Sequence, residues 1–265
     1  MNANEAQRRL SAARRAANRA GEYLRTSQWD AHEVTLKGVH DLHLDADTEA
    51  GQRIAALLAT EFPGEFLLEE DGPPDPGTSE WVWVIDPLDG TVNYFHRLPW
   101  YCVSIACYHR TEASVHPLWR HGRPVASVVL APALGLEFWA MEGHGAWSDG
   151  RRLRVSAEAL SHGILSHSRG SRPDDQAFMR ERMALIGSEA RKTRSHGAAA
   201  LDLALVAQGS LVAHVQRSLQ AWDVAAGVHL VLEAGGSYWA EEGEGGQHTL
   251  VGGPGVFPRL KEVFS

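Results

Sequence analysis

A chain of 265 residues with 33 Asp and Glu against 25 Lys and Arg carries a formal net charge of −8. That balance argues against broad electrostatic binding to nucleic acid or to an anionic membrane, because both require a cationic surface. No run approaches the eighteen or so apolar residues of a membrane span. An acidic chain that handles phosphate needs local cations, and metal ions held by clustered carboxylates are one source of them.

In chain order, residues 1–25 predict a helix, with Leu10, Ala13, Ala17, Ala20 and Leu24 on one stripe between arginine stems. A packed amphipathic helix is favoured over a transit peptide. A second helix is predicted over 48–62, with Ile54, Leu57, Leu58 and Phe62 on one face, ended by Pro63-Gly64. Residues 66–68 read as a short strand delivering Glu69 and Glu70, and 71–79 as a Gly- and Pro-rich loop. The apolar and aromatic run over 81–85 has the pattern of a buried strand.

From 100 to about 156 the chain reads as successive strands, including 125–130 and 136–141, with 111–122 an irregular excursion. Helices are then predicted over 178–185, 198–208 and 224–233, with a strand over 211–215. This mixture predicts a layered α/β or α+β sandwich. Cys102 and Cys107 lie five apart in a strand, so their side chains point to opposite faces and no local disulfide is expected. With no secretory signal, that points to a reducing cytoplasm. Of the 14 histidines, only His196 and His214 are placed near the pocket. Trp222 reads as a packing anchor that sets Asp223, while Arg169, Arg172, Arg194 and Arg217 read mostly as solvated surface.

The strongest chemical signal is Asp86-Pro87-Leu88-Asp89-Gly90-Thr91, where a buried strand turns into a helix beginning at about Thr91. Asp86 and Asp89 can converge across that turn, and oxygen-only donors suit magnesium. Backbone N–H groups of Gly90 and Thr91 would face a phosphate. Taken alone, the motif is as well read as an Asp-Pro turn with a helix cap. Glu69-Glu70 at the end of a strand and Asp223 at the start of an Ala-rich helix shift the balance to a divalent-metal cluster.

The segments WVWVIDPLDGTVNYFHRLPWYCVSIA and AWDVAAGVHLVLEAGG, in this order, resemble the two signatures of the inositol monophosphatase family of magnesium-dependent, lithium-sensitive phosphatases. The likeness also takes in Lys37, Asp47, GRRLRVS at 150–156 and GAAALDLALVAQG at 197–209. It implies an αβαβα sandwich over 1–265, with 1–150 carrying the acidic motif and 151–265 contributing Asp223. It implies two to three Mg²⁺ ions, with Glu69, Asp86 and the Leu88 carbonyl holding the first and Asp86, Asp89 and Asp223 the second. Thr91, with Asp47, then orients and deprotonates the attacking water, Glu69 completes the catalytic set, and Lys37 lies near the metals. Glu70 is a possible bystander.

The substrate implied is inositol 1-phosphate or a related polyol phosphate, contacted by Asp89, Gly90, Thr91, Gly197, Ala198, Gln216 and Asp223. Histidinol phosphate, a nucleotide or sugar bisphosphate, or a regulatory binding role with residual phosphatase activity are the alternatives. The resemblance also implies a homodimer. Three positions depart from the pattern: a threonine is missing from Asp41-Leu42-His43-Leu44, Ala198 lacks a hydroxyl, and Gln216 stands where an acidic residue is expected. Gln216 brings an NH₂ donor and no charge, so these changes bear on substrate choice and leave the metal ligands intact.

Overall fold

Apolar runs of the chain build two sheets, and helices with one apolar face fill the spaces between and outside them. The computed structural model describes residues 3–30, 32–36, 42–69, 79–110, 122–170, 172–243 and 245–265. Two helices, α1 (Ala3–Ser27) and α2 (Asp45–Glu61), form the first layer beside a short antiparallel ladder of β1 (Val34–Leu36) and β2 (Leu42–Leu44). They cover a seven-stranded sheet whose strands follow chain order: β3 (Phe66–Leu68), β4 (Trp81–Asp89), β5 (Cys102–His109), β6 (Arg123–Ala131), β7 (Leu136–Met141), β8 (Gly145–Ser148) and β9 (Arg151–Arg152). Only β3 and β4 are parallel neighbours.

On the other face of this sheet lie α5 (Ala199–Gln208) and α6 (Ala221–Glu233), sandwiched against a five-stranded sheet. That second sheet has the order β11 (Lys192–Arg194), β10 (Ile164–His167), β12 (Ala213–Leu219), β14 (Gly246–Gly252), β13 (Ser237–Gly243), with β10 parallel to both its neighbours. Its outer face is covered by α4 (Pro173–Ile186) and α7 (Phe257–Phe264). The layers are therefore αβαβα, as the resemblance implies. A short helix, α3 (Thr91–Phe95), follows β4 directly.

The apolar stripe of α1 is buried as predicted, and its alanines allow close approach to the sheet. At Gly21 a Cβ would stand 2.7 Å from Leu130 Cδ2 and 3.3 Å from Pro132 Cβ, so a larger residue at that crossing would push the Leu130 side chain aside. Helix α2 begins three residues before the predicted start because the Asp47 carboxylate reaches back to accept the Leu44 N–H at 2.9 Å. Helix α4 likewise starts early, at Pro173, whose missing N–H costs nothing in a first turn. The strand expected at 211–215 runs instead over Ala213–Leu219, and α6 begins at Ala221, so Asp223 lies inside its first turn. Strands β13 and β14 escape the hydrophobic pattern because their polar, Gly-bounded sequences hide the period of two. The expected loop at 71–79 and excursion at 111–122 fall almost wholly outside the described residues.

Cys102 and Cys107 are free and buried on opposite faces of β5, the first in the core shared with α5 and α6, the second in the core under α1 and α2. Among the described residues no helix is long and apolar enough to cross a membrane.

Arg9 is the charged residue that ties α1 down. Only 3% exposed, its guanidinium makes paired bonds of 2.7 and 2.8 Å to Glu65, an ion pair to Glu5, and lies 3.3 Å from the Trp81 ring centre. Glu65 also accepts the Trp83 indole N–H at 2.7 Å, so one half-buried carboxylate joins α1 to β4. Removing one partner of such a pair leaves the other charge desolvated. Arg9→Ala is expected to lower unfolding free energy by about 3 kcal/mol or more, and Arg9→Met, which keeps the packed stem, by clearly less. Urea unfolding of the two variants checks the order.

His229, on the buried face of α6, shares a hydrogen bond of 3.0 Å with Ser127 of β6. Burial pushes its pKa down to about 4 from the usual 6.5, against a smaller opposing pull from Glu233. Between those two values the unfolded chain binds the proton and the folded chain does not, so this stabilising contribution is whole above pH 6.5 and is lost as pH falls towards 4. Between pH 7 and pH 4.5, wild type should lose about 2–3 kcal/mol relative to His229→Gln. Parallel denaturant titrations at the two pH values measure this difference.

Candidate active site

The end of β4 sets the site. Its register against β5 slips between Asp86 and Asp89, so the strand bulges at Pro87 and both aspartates reach the same end of the sheet. The Leu88 N–H donates to Asp86 Oδ1 at 3.0 Å, closing the turn. Gly90 then takes φ +90°, and a Cβ there would stand 2.7 Å from the Trp100 carbonyl oxygen, so the turn into α3 requires glycine. Thr91 opens α3, its hydroxyl 3.0 Å from the Leu88 carbonyl and 3.3 Å from Asp47 Oδ1.

Carboxylates crowd around this turn. Burial holds the Asp86 carboxyl well above the usual range, and the charges of Asp89, Asp223 and Asp47 raise it further. Asp89 is pushed up to about 6 by burial, with the N–H of Ala200 pulling the other way. Glu69 stands at the end of β3, and a Cβ on Gly51 of α2 would come within 3.1 Å of its Oε2 and 3.3 Å of Pro87. The bare Gly51 thus leaves a cradle for the Glu69 carboxylate beside the bulge.

Three of these acidic groups, Asp89, Asp47 and Asp223, are also tied to helix starts. Asp89 accepts the N–H groups of Ala199 at 3.2 Å and Ala200 at 2.7 Å, supplying the cap that α5 lacks in its own sequence. Asp47 and Asp223 reach back to the Leu44 and Gln220 N–H groups in the first turns of α2 and α6. No three His, Cys, Asp or Glu side chains among the described residues already close into a metal-holding group. Every carboxylate oxygen nonetheless has a second lone pair. An all-oxygen donor set with mutually repelling, desolvated charges fits a hard divalent cation such as Mg²⁺.

The turn before α5 docks onto α3. Asn93 Nδ2 donates to the carbonyls of Trp100 and His196, both at 2.7 Å, and lies 3.3 Å from that of Gly197. Ala198 packs against Gly90. Gly197 and Ala198 therefore lie beside the acidic turn. Gln216 lies half-buried on β12, at the irregularity in its pairing with β14, four residues before the α6 cap. Lys37 and Glu70 fall outside the described residues. Trp222 is partly buried against the central core, in keeping with an anchor. Arg217 is not simple surface: it pairs with Asp175 at 3.2 Å and covers the Phe178 ring.

Sequence reasoning gave no role to Asp202. In the first turn of α5 and almost fully buried, it accepts a bond of 2.6 Å from His196 Nδ1 and lies 3.5 Å from His214 Nδ1. Burial pushes Asp202 up, but these two histidines outweigh it and hold the carboxyl below the usual range. The only signal available was an aspartate in a helix that is otherwise apolar. Asn93→Asp would set a carboxylate against three carbonyl oxygens and leave them without their donor. It is expected to cost about 3 kcal/mol or more, against less for Asn93→Ala, as read from urea midpoints.

The chain matches the model of the inositol monophosphatase family over residues 5–258. The Nus factor SuhB of Pseudomonas aeruginosa is 38% identical over 237 residues, 86% of this chain and 83% of that protein. An inositol-1-monophosphatase of Mesorhizobium japonicum is 36% identical over 228 residues, covering 83% and 79%. The crystal structure of the extragenic suppressor protein SuhB of Bartonella henselae superposes with a TM-score of 0.83 at 31% identity, over 95% of each chain.

Proposed function

The chain belongs to the inositol monophosphatase family, and from that premise we propose that it hydrolyses a small phosphate monoester, inositol 1-phosphate or a related polyol phosphate, to the alcohol and inorganic phosphate. The observation that carries this reading is the set of crowded carboxylates at the end of β4, beside a threonine hydroxyl already in reach of a further carboxylate. In this reading the chain works as one unit, residues 1–150 supplying most of the site and 151–265 supplying Asp223.

Glu69, Asp86 and the Leu88 carbonyl would hold one Mg²⁺ and Asp86, Asp89 and Asp223 another. Such ions, when bound, lower the pKa of water and neutralise charge on phosphate and leaving alkoxide. The rest falls to the chain's own groups. Thr91 Oγ accepts the attacking water's proton as it passes its own to Asp47 Oδ1, while the Leu44 N–H holds the other oxygen of Asp47 still. Oxygen from water forms the new bond to phosphorus, the ester P–O bond breaks, and the leaving alkoxide takes a proton from a solvent water, to which Asp47 returns the one it received. Gly90 and Thr91 line the phosphate side, and Gly197, Ala198 and Gln216 the alcohol side. The reading includes inhibition by lithium, a cytoplasmic site of action and a homodimer.

Chelator is expected to abolish hydrolysis and Mg²⁺ to restore it. Asp223→Asn, which keeps an acceptor for the Gln220 N–H, is expected to lower kcat about a hundredfold or more. A readout independent of turnover is thermal: Mg²⁺ at about 100 times its Kd should add about 2.7 kcal/mol to unfolding, and less in Asp223→Asn. Full activity in chelator, or an unmoved melting curve, would sink the assignment. The likeness to a Nus factor supports a second reading, binding within a transcription complex. Pull-down with wild type and with Asp223→Asn separates the two, since a pure binding role survives the substitution.

A further inference from the structure

His196 is fixed at three points. Its Nδ1 is bonded to buried Asp202 at 2.6 Å, its ring is stacked on Trp100 with centres 4.6 Å apart and planes 24° apart, and its carbonyl accepts Asn93 Nδ2 at 2.7 Å. Asp202 is fixed in turn by its place in α5 and by His214, whose Nδ1 also meets Ser166 Oγ at 2.8 Å. The remaining ring nitrogen, His196 Nε2, has no hydrogen-bond partner among the described residues. It is not sealed in, since the side chain keeps 13% exposure and Nε2 is absent from the buried polar atoms left without partners. An ionised carboxylate can only accept, so the bond to Asp202 puts a proton on Nδ1, and the Nδ1-protonated tautomer presents Nε2 as an acceptor.

The next two residues of the chain, with the His196 carbonyl, place the backbone of His196 beside the acidic turn. Gly197 and Ala198 pack on Asn93 and Gly90, the turn assigned to the phosphate side. His196 therefore stands at the edge of the site where the alcohol part of a substrate would lie, next to an alanine that has no hydroxyl to offer. An oriented imidazole costs little to order on binding, because stacking and the Asp202 bond have already fixed it.

We propose that His196 is a specificity-determining contact: Nε2 accepts a hydrogen bond from a hydroxyl of a polyol phosphate, and Asp202 is the positioning residue that fixes the ring and its tautomer. This deepens the phosphatase reading and rests on it. The contact acts on the alcohol and leaves phosphoryl transfer alone, so it belongs in KM rather than kcat.

His196→Ala is expected to raise KM for inositol 1-phosphate about five- to tenfold, the size of one neutral hydrogen bond, with kcat within about twofold. KM for propyl phosphate, which has no second hydroxyl, should not move. His196→Gln, which retains an acceptor, should recover part of the loss. A second measurement uses wild type alone: ¹⁵N spectra of the histidine rings, titrated with a polyol phosphonate whose C–P bond is not hydrolysed. The Nε2 signal that disappears in His196→Gln should mark Nδ1-protonated imidazole and shift upfield on titration. Equal KM changes for both esters, no change for either, or a ring signal indifferent to the phosphonate would each overturn the assignment. Wild type that hydrolyses no ester at all would defeat the phosphatase reading instead, and the ring titration would then decide the role of His196 by itself.

Discussion

Several carboxylates held within reach of one another at the end of a buried strand repel and are poorly solvated, and much of the neighbouring architecture answers to that. Asp86 bears the penalty most plainly, and three acidic neighbours add to it. The fold meets the cost by bringing helix starts to the place: α2 through Asp47, α3 through Gly90 and Thr91, α5 through Asp89, and α6 through Asp223. Each presents unpaired N–H groups and the positive end of a peptide dipole. These partial charges make the acidic cluster tolerable, and divalent cations would complete the neutralisation. Capping and metal ligation thus draw on the same oxygen atoms, so the caps hold in advance the groups that ions would use.

Asp89 shows how the two sheets are made to depend on each other. It leaves a strand of the first sheet and caps a helix that packs under the second, about 110 residues later in the chain. Asn93 repeats the device with the opposite polarity, donating to carbonyls on both sides of the junction. Side chains from the acidic motif itself therefore join the first sheet to the layer of α5, and they also place the turn at Gly197 and Ala198.

The main elements were legible because they are strongly patterned, as in the alanine stripe of α1, the apolar run of β4 and the Ala- and Leu-rich α5 and α6, while the order of the layers came from the family resemblance. The acidic turn was legible only in company: two aspartates before Gly-Thr at a strand end serve equally as a capped turn, and Glu69 at another strand end and Asp223 at the start of an Ala-rich helix shifted the balance. Helix starts were misjudged at α2, α4 and α6, where an internal aspartate or a proline rather than a hydroxyl residue marks the beginning. The β13–β14 hairpin was hidden by polar residues on a half-exposed surface. What no spacing could reveal was long-range: Asp89 as the cap of α5, Arg9 joined to Glu65 and Trp81, and His196 held between Trp100 and Asp202. Each of these joins positions whose separation is set by the fold, and local pattern carries no record of it.

The placement of the two cysteines gives the molecule an internal pair of clocks. Cys102 is sealed in the central layer against Asp89, and Cys107 in the outer layer against Arg9, on opposite faces of one strand. Burial raises both thiols far above their usual range, so neither reacts as a thiolate while its layer is shut. Exposure of one face of β5 therefore need not expose the other. The time at which each sulfur becomes available to an alkylating reagent records separately when α1 lifts from the sheet and when the helices of the central layer part.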